Sequence, residues 1–145
     1  GEKERSLEQM RRVLEIESDH ADALNYIGYT YAEQGIRLDE ALGLIQRAME
    51  LKPDSGYITD SLGWVYFQKG DYDKALEYLE KASSLQPDDP TITEHLGDAY
   101  LKHARYDEAL EAYRKALELD HAEPEEIRGK IEEVEALLKR NQEAD

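Results

Sequence analysis

Histidine and acidic side chains are the residues of this chain with the greatest capacity for chemistry. Its 145 residues include 34 acids and 4 histidines but no cysteine. His95 and Asp98 stand three positions apart, so a helix would place them on one face, where together they could ligate a metal ion. Such a pair on a solvated helix is more often incidental, and we expect no metal site here.

The sequence otherwise lacks the motifs of catalysis. It has no glycine-rich phosphate loop, no serine elbow and no two histidines at HExxH spacing. We expect the carboxylates to lie on solvated helix faces, where no burial would raise a pKa for general acid chemistry. The absence of cysteine excludes disulfides and thiolate metal sites. The sequence therefore predicts neither an enzyme nor a bound cofactor.

The elements that would position any binding residues recur with a fixed period. Leu62-Gly63-x-x-Tyr66 and Leu96-Gly97-x-x-Tyr100 are 34 residues apart, and Ile27-Gly28-x-x-Tyr31 precedes the first of them by 35. No unit of this size buries a core alone, so the period predicts a stacked solenoid. The second half of each unit repeats as well, in Ala41, Ala75 and Ala109; in Ala48, Ala82 and Ala116; and in Pro53, Pro87 and His121.

This pattern resembles the tetratricopeptide repeat, whose unit is a helix–turn–helix of helices A and B. Three units match it, at 21–55, 56–89 and 90–123, with His121 in place of the last closing proline. The resemblance implies an all-α, right-handed superhelical solenoid, with residues 1–145 forming one array. It also implies a protein-binding scaffold.

The glycines of helix A predict close packing between the two helices of a unit. A glycine inside a helix costs about 1 kcal/mol relative to alanine, so something must offset this cost. We expect each glycine to face a small alanine on its own helix B. The three expected pairs are Gly28 with Ala41, Gly63 with Ala75, and Gly97 with Ala109.

The two ends of the chain differ from a full repeat. Residues 4–17 resemble a helix B without its helix A, so we expect the chain to be part of a longer array. Leu7, Met10 and Val13 belong to an apolar stripe that lacks its usual cover, and we expect them to mediate self-association. Residues 124–140 begin at a proline and carry one apolar face, which is typical of a capping helix. Helix A of a further repeat is the alternative.

In the tetratricopeptide family helix A lines the concave face, so the resemblance places partner-binding residues there. Trp64 is the single tryptophan, and we expect it to be half exposed and to anchor a partner. The alternative is that Trp64 and Phe67 pack against helix A of the third unit. The predicted binding residues are Asn25, Tyr29, Glu33, Tyr57, Asp60, Trp64, Phe67, Glu94, Asp98 and Leu101.

The charge of the chain limits the class of partner. The net charge is −16, which argues against nucleic acid and against direct contact with an anionic membrane surface. Acidic residues also dominate the expected concave face, where Lys102 is the one base among the positions assigned to that face. We therefore expect a protein or peptide partner with basic and apolar side chains. Some relatives bind acidic C-terminal peptides through a clamp of Lys, Asn and Arg side chains. Only the Asn of this clamp has a counterpart in this chain, which is Asn25.

The amino-acid sequence of the first two units resembles the C-terminal arrays of long bacterial repeat proteins, some of which are envelope lipoproteins. Ala23-Leu-Asn-Tyr-Ile-Gly-Tyr-Thr-Tyr-Ala32 and Asp60-Ser-Leu-Gly-Trp-Val-Tyr66 carry this resemblance. The chain shows no signal peptide and no run of 18 apolar residues. We expect a soluble segment, in the cytoplasm or in a bacterial periplasm.

Overall fold

The computed structural model describes residues 1–144, and this part of the chain consists of α-helices joined by short turns. The helices pair in sequence, α2 with α3, α4 with α5, and α6 with α7, and α2 also contacts α4, as α4 contacts α6. The predicted all-α repeat solenoid is therefore confirmed. The elements are α1 Glu2–Ile16, α2 Ala21–Gln34, α3 Leu38–Leu51, α4 Gly56–Lys69, α5 Tyr72–Leu85, α6 Pro90–Lys102, α7 Tyr106–Glu118 and α8 Pro124–Ala144.

Local capping interactions fix where the A helices begin and end. Ser55 and Asp89 accept hydrogen bonds from the backbone N–H groups of Ile58 and Ile92, which lack partners inside the first turn. Gly70 ends α4 with φ 84, a left-handed conformation that glycine adopts without a Cβ penalty. These caps keep each turn short, so the A helices stack side by side and form one continuous face. None of the helices in residues 1–144 is both long and apolar enough to cross a membrane.

The glycines of the A helices approach helix B closely, and at Gly28 the contact includes the predicted alanine. A Cβ built on Gly63 would lie 2.8 Å from Leu79 Cγ and 3.2 Å from the backbone N of Leu79. Gly28 meets Ile45 and Gly97 meets Tyr113 in the same way. Gly28 would also meet the backbone oxygen of Ala41, at 3.1 Å, as expected, whereas the nearest atoms to Gly63 and Gly97 belong to the residue one helical turn beyond Ala75 and Ala109. The three alanines are themselves fully buried.

Helix α1 packs against α2 through part of its apolar stripe. Leu7 is only 7 % exposed and belongs to the main core, and Met10 and Leu14 pack against that core. Leu7 therefore does not offer a free surface to a second chain, contrary to the expectation for the self-association residues. Val13 is half-buried, and Ile16 is 90 % exposed. The apolar surface that remains on α1 lies at its C-terminal end.

Helix α8 packs its apolar face on α7. Ile127 and Val134 are fully buried and share a core cluster with Tyr113, and Ile131 and Leu138 pack against this cluster. The opposite flank of α8 carries charged residues that include Lys130, which reaches back toward α6. Helix α8 thus contributes both to the core and to the face formed by the A helices.

Candidate concave binding groove

The concave groove is the face formed by α2, α4 and α6, and it contains two adjoining cavities that share Tyr29 and Thr91. The N-terminal cavity measures about 350 Å³ and the C-terminal cavity about 400 Å³. Asn25, Tyr57, Asp60 and Ser61 line the first of these. The second is lined by Glu33, Trp64, Glu94, His95, Asp98 and Lys130 among others.

Trp64 is enclosed between two other rings. Its indole is stacked on Phe67 of its own helix at 4.6 Å and 9°, and on His95 of α6 at 3.9 Å and 15°. Both rings lie nearly parallel to the indole at stacking distance, and Phe67 and His95 do not stack on each other. They therefore cover opposite faces of the indole. The half-buried Trp64 therefore offers an edge to the C-terminal cavity. The alternative expectation, packing of Trp64 against the third unit, describes this contact.

A buried histidine–carboxylate pair connects the second and third A helices next to Trp64. His95 Nδ1 lies 2.9 Å from Asp60 Oδ1, and His95 and Asp60 are only 6 % and 5 % exposed. Burial works to lower the pKa of His95, but the carboxylate of Asp60, together with those of Asp98 and Glu94, more than offsets this effect and raises the pKa above its usual value. His95 is thus paired across helices with Asp60 and not with Asp98. Residues 1–144 contain no cluster of three or more His, Asp or Glu residues able to hold a metal ion.

Two carboxylates of α6, Glu94 and Asp98, share one ammonium group. Lys130 Nζ donates hydrogen bonds to Glu94 Oε2 at 2.7 Å and to the two Asp98 oxygens at 3.0 Å and 3.2 Å. His121 Nε2 lies 2.8 Å from Glu94 Oε1, and Tyr113 donates its hydroxyl to Asp98 at 2.5 Å. Burial works to raise the pKa of Glu94, yet Lys130 and His121 hold that pKa below its ordinary value. We call Glu94 and Asp98 the acid pair.

The burial of these groups corrects the expectation that all carboxylates lie on solvated faces. Asp60 and Glu94 are buried and paired, because the A helices stack closely enough to enclose one flank of each helix. Sequence reasoning also missed Lys130 and His121, since neither lies on an A helix of the three repeats. The substitution of histidine for the closing proline at position 121 was the one available signal.

The structure brings most of the predicted binding residues together in the groove, with two exceptions. Phe67 lies on the far side of Trp64 and contacts Tyr72 edge-on at 5.2 Å. Leu101 packs into the core cluster between α7 and α8. The predicted residues that line the two cavities are Asn25, Tyr29, Glu33, Tyr57, Asp60, Trp64, Glu94 and Asp98.

Two residues of the N-terminal cavity have features suited to contact with a ligand. Tyr57 is 57 % exposed, so its ring presents apolar surface and a hydroxyl to solvent. The Oδ1 atom of Asn25 is buried and has no hydrogen-bond partner within residues 1–144. Burial and the carboxylate of Asp60 raise the pKa of Tyr29, so this phenol between the two cavities stays a neutral donor.

Comparison with known proteins agrees with this architecture. The family model for the tetratricopeptide repeat matches residues 1–56 and 61–124, which is most of the chain. The chain belongs to the tetratricopeptide repeat family. Among curated proteins it is similar to the TPR repeat-containing protein PA4667 of Pseudomonas aeruginosa, with 42% identity over 74 residues. That match covers 48% of this chain and 12% of the relative, so this chain corresponds to a small part of that protein.

Solved structures show the same fold. The Sgt2 TPR domain of Aspergillus fumigatus superposes with a TM-score of 0.76 at 22% identity, covering 85% of this chain and 82% of that one. TTC0263, a TPR protein of Thermus thermophilus, gives 0.73 at 25% identity, covering 88% and 70%. The first TPR domain of Spaghetti (RPAP3), solved with the HSP90 peptide SRMEEVD, gives 0.74 at 22% identity and covers 82% and 93%. At these identities the likeness establishes the fold.

Proposed function

We propose that this chain is a protein-interaction scaffold that binds an extended segment of a partner in its concave groove. The carrying observation is the pair of adjoining cavities along α2, α4 and α6, which share Tyr29 and together run past Trp64 to α8. Stacked repeats present a stiff concave surface. The bound segment loses its own flexibility, but the protein needs little further ordering when it binds. The similar domain solved with an HSP90 peptide supports this class of function.

The charge of the groove supports a basic and apolar segment as the ligand. Glu33, Glu123 and Glu126 are exposed residues that line the C-terminal cavity, where Lys130 is the one lysine or arginine in the lining; Glu33 also pairs with Lys3 at 3.0 Å. An acidic peptide such as the SRMEEVD bound by the Spaghetti domain would meet like charges here. We therefore infer that the partner of this chain differs in charge from the partner of that domain.

The ionisable groups of the groove support a binding role over catalysis. Each buried carboxylate is paired within the chain, Asp60 with His95 and Glu94 with Lys130 and His121. Such pairing stabilises the charged forms of these carboxylates, so neither is poised to act as a general acid near neutral pH. The buried pairs thus have a ready structural role, which is to hold neighbouring repeats together.

The experiment that tests this proposal compares a basic peptide with an acidic one. We expect acetyl-Leu-Lys-Leu-Lys-Leu-Lys-amide, with a fluorescent label, to bind more tightly at low than at high salt, and the matching Leu–Glu peptide not to bind. Glu33→Lys and Glu126→Lys at the rim should weaken binding and reduce its salt dependence. Asp60 and Glu94 are unsuitable for charge reversal, because both are buried in ion pairs.

Matched control variants carry the same charge change outside the groove. Glu77→Lys on α5 and Glu111→Lys on α7 replace exposed glutamates on B helices. These variants should bind the basic peptide like the wild type. Equal weakening by rim and control variants would contradict the groove and indicate that only the net charge of the protein attracts the peptide.

A further inference from the structure

The acid pair is the part of the groove that already holds a cation. The Lys130 ammonium donates to three carboxylate oxygens, one on Glu94 and two on Asp98, at 2.7 to 3.2 Å. Three N–H donors meeting three acceptors is the full hydrogen-bonding capacity of a lysine side chain. The chain itself therefore shows which chemical group this position accepts.

Lys130 reaches the acid pair from a helix that is anchored elsewhere. Helix α8 is held by Ile127 and Val134, which are buried against α7 on the other flank. The lysine side chain is a flexible four-carbon stem with a compact charge, so its ammonium can leave the acid pair without movement of α8. The C-terminal cavity, of about 400 Å³, opens directly beside this contact.

A second polar group is available at the same cavity. His95 is 6 % exposed and lines the cavity, and its Nδ1 is engaged by Asp60. Its Nε2 has no hydrogen-bond partner within residues 1–144. This nitrogen can therefore form a hydrogen bond with a ligand in the cavity. A segment that placed a cation on the acid pair would bring its own backbone amides and carbonyls near His95.

We propose that the acid pair is the groove's subsite for a basic side chain of the bound segment, and that Lys130 holds this subsite in the free protein and leaves it on binding. The inference rests on the proposed function, because it requires a segment in the groove. Since the incoming group must compete with Lys130, the subsite favours arginine over lysine: a guanidinium makes two parallel hydrogen bonds to a carboxylate, whereas an ammonium acts as a point charge.

The test compares Lys130→Met with Lys130→Arg, using labelled acetyl-Leu-Arg-Leu-Arg-Leu-Arg-amide. We expect Lys130→Met to bind the peptide about fivefold more tightly than wild type, as the gain of one partly exposed ion pair allows. Lys130→Arg keeps an internal cation and should bind no more tightly than wild type. The wild type should also bind this peptide more tightly than the Leu–Lys peptide.

The outcomes separate this inference from the proposed function. If Lys130→Met and wild type bind equally while Glu126→Lys still weakens binding, the subsite inference is overturned and the groove proposal stands. If neither protein binds either basic peptide, the basic-segment proposal is overturned and the inference with it.

Lys130→Met leaves two carboxylates without their cation, which destabilises the fold. A measurement on the wild-type protein therefore tests the inference without that variant. In the free protein the Lys130 ammonium is hydrogen-bonded, so its protons should exchange slowly and give a side-chain signal in a ¹H–¹⁵N NMR spectrum. Saturation with the arginine peptide should abolish this signal. Its persistence at saturation would show that Lys130 stays on the acid pair, and would overturn the proposed exchange.

Discussion

Single residues in the groove have more than one role. Trp64 was expected to be half exposed and to anchor a partner; it is half-buried, and Phe67 and His95 cover both faces of its indole. Truncation of Trp64 would therefore remove a contact between α4 and α6 as well as a ligand contact. A loss of binding by Trp64→Ala is interpretable only alongside its free energy of unfolding. The rim glutamates are better probes of binding, because they are exposed.

The glycine contact of the second unit gives a prediction about stability. A Cβ at position 63 would lie 2.8 Å from Leu79 Cγ and 3.2 Å from its backbone N, and the backbone cannot yield as a side-chain end can. We expect Gly63→Ala to lower the free energy of unfolding by roughly 1–3 kcal/mol, as overpacking does. Urea denaturation measures this change.

Gly43 on α3 is the matched control for this prediction. A Cβ at position 43 meets no atom within 4 Å, and the residue is exposed. Gly43→Ala should raise the free energy of unfolding by about 0.5–1 kcal/mol, since alanine is the better helix former. A Gly63→Ala variant as stable as Gly43→Ala would contradict the close approach of α4 and α5.

The buried His95–Asp60 pair predicts a pH dependence of stability. The raised pKa of His95 means that the folded state binds the proton more tightly than the unfolded state, whose value is near 6.5. The stability that this tighter proton binding adds is fully present below the unfolded pKa and is lost as pH rises through the folded pKa. We expect the free energy of unfolding to fall as pH rises above about 6.5 and to level off above the folded pKa of His95, measured by urea titration.

His95→Gln removes the titrating ring but can still donate a hydrogen bond to Asp60. This variant should be less stable than wild type at the lower pH and should show a flatter pH profile. His103→Gln, on the far end of α6 beside the exposed Asp73, is the control and should keep the wild-type slope. A His95→Gln profile parallel to wild type would exclude His95 as the source of the slope.

At the scale of elements, α8 is held by a few buried side chains. Ile127 is fully buried beside Tyr113, whereas Ile131, one turn later, is only partly buried. We expect Ile127→Ala to cost about 2–5 kcal/mol of unfolding free energy, and Ile131→Ala less than half of that. Thermal unfolding followed by circular dichroism compares the two. Equal effects would mean that α8 does not pack in this register.

The same element shows how far the sequence could predict the site. The repeated Leu-Gly-x-x-Tyr motifs predicted the A helices and the face they share, because the repeat period determines both where these helices occur and how they stack. Lys130 escaped prediction because it lies on α8, outside the three repeats, and His121 escaped because it replaces the proline that the repeat predicts. The burial of Asp60 and Glu94 also escaped, because burial depends on the distance between stacked helices and not on the periodicity within one.

At the scale of the whole molecule, the net charge of −16 has opposite effects on two kinds of association. It should attract the basic segment proposed as the ligand of the groove, so salt should weaken that binding. It also makes two copies of the chain repel each other, so salt should favour any contact between copies. The sign of the salt dependence therefore distinguishes partner binding from self-association.

Self-association through α1 remains a prediction, now restricted to the end of the helix that the fold leaves open. Leu7 is buried, so Val13 and the 90 % exposed Ile16 are the apolar side chains that a second copy would meet. This surface is small, and repulsion between like charges reaches about 10 Å at 0.1 M salt but only about 3 Å at 1 M. We expect a monomer at low salt and a concentration-dependent dimer near 1 M salt in analytical ultracentrifugation.

Ile16→Glu should abolish this dimer, because it places a charge at the centre of the contact. Ile36→Glu, at a residue 45 % exposed in the turn between α2 and α3, is the control and should leave the dimer intact. A protein that stays monomeric at 1 M salt would exclude α1 as an assembly surface. Groove binding would be unaffected by either substitution, because neither residue lines the two cavities.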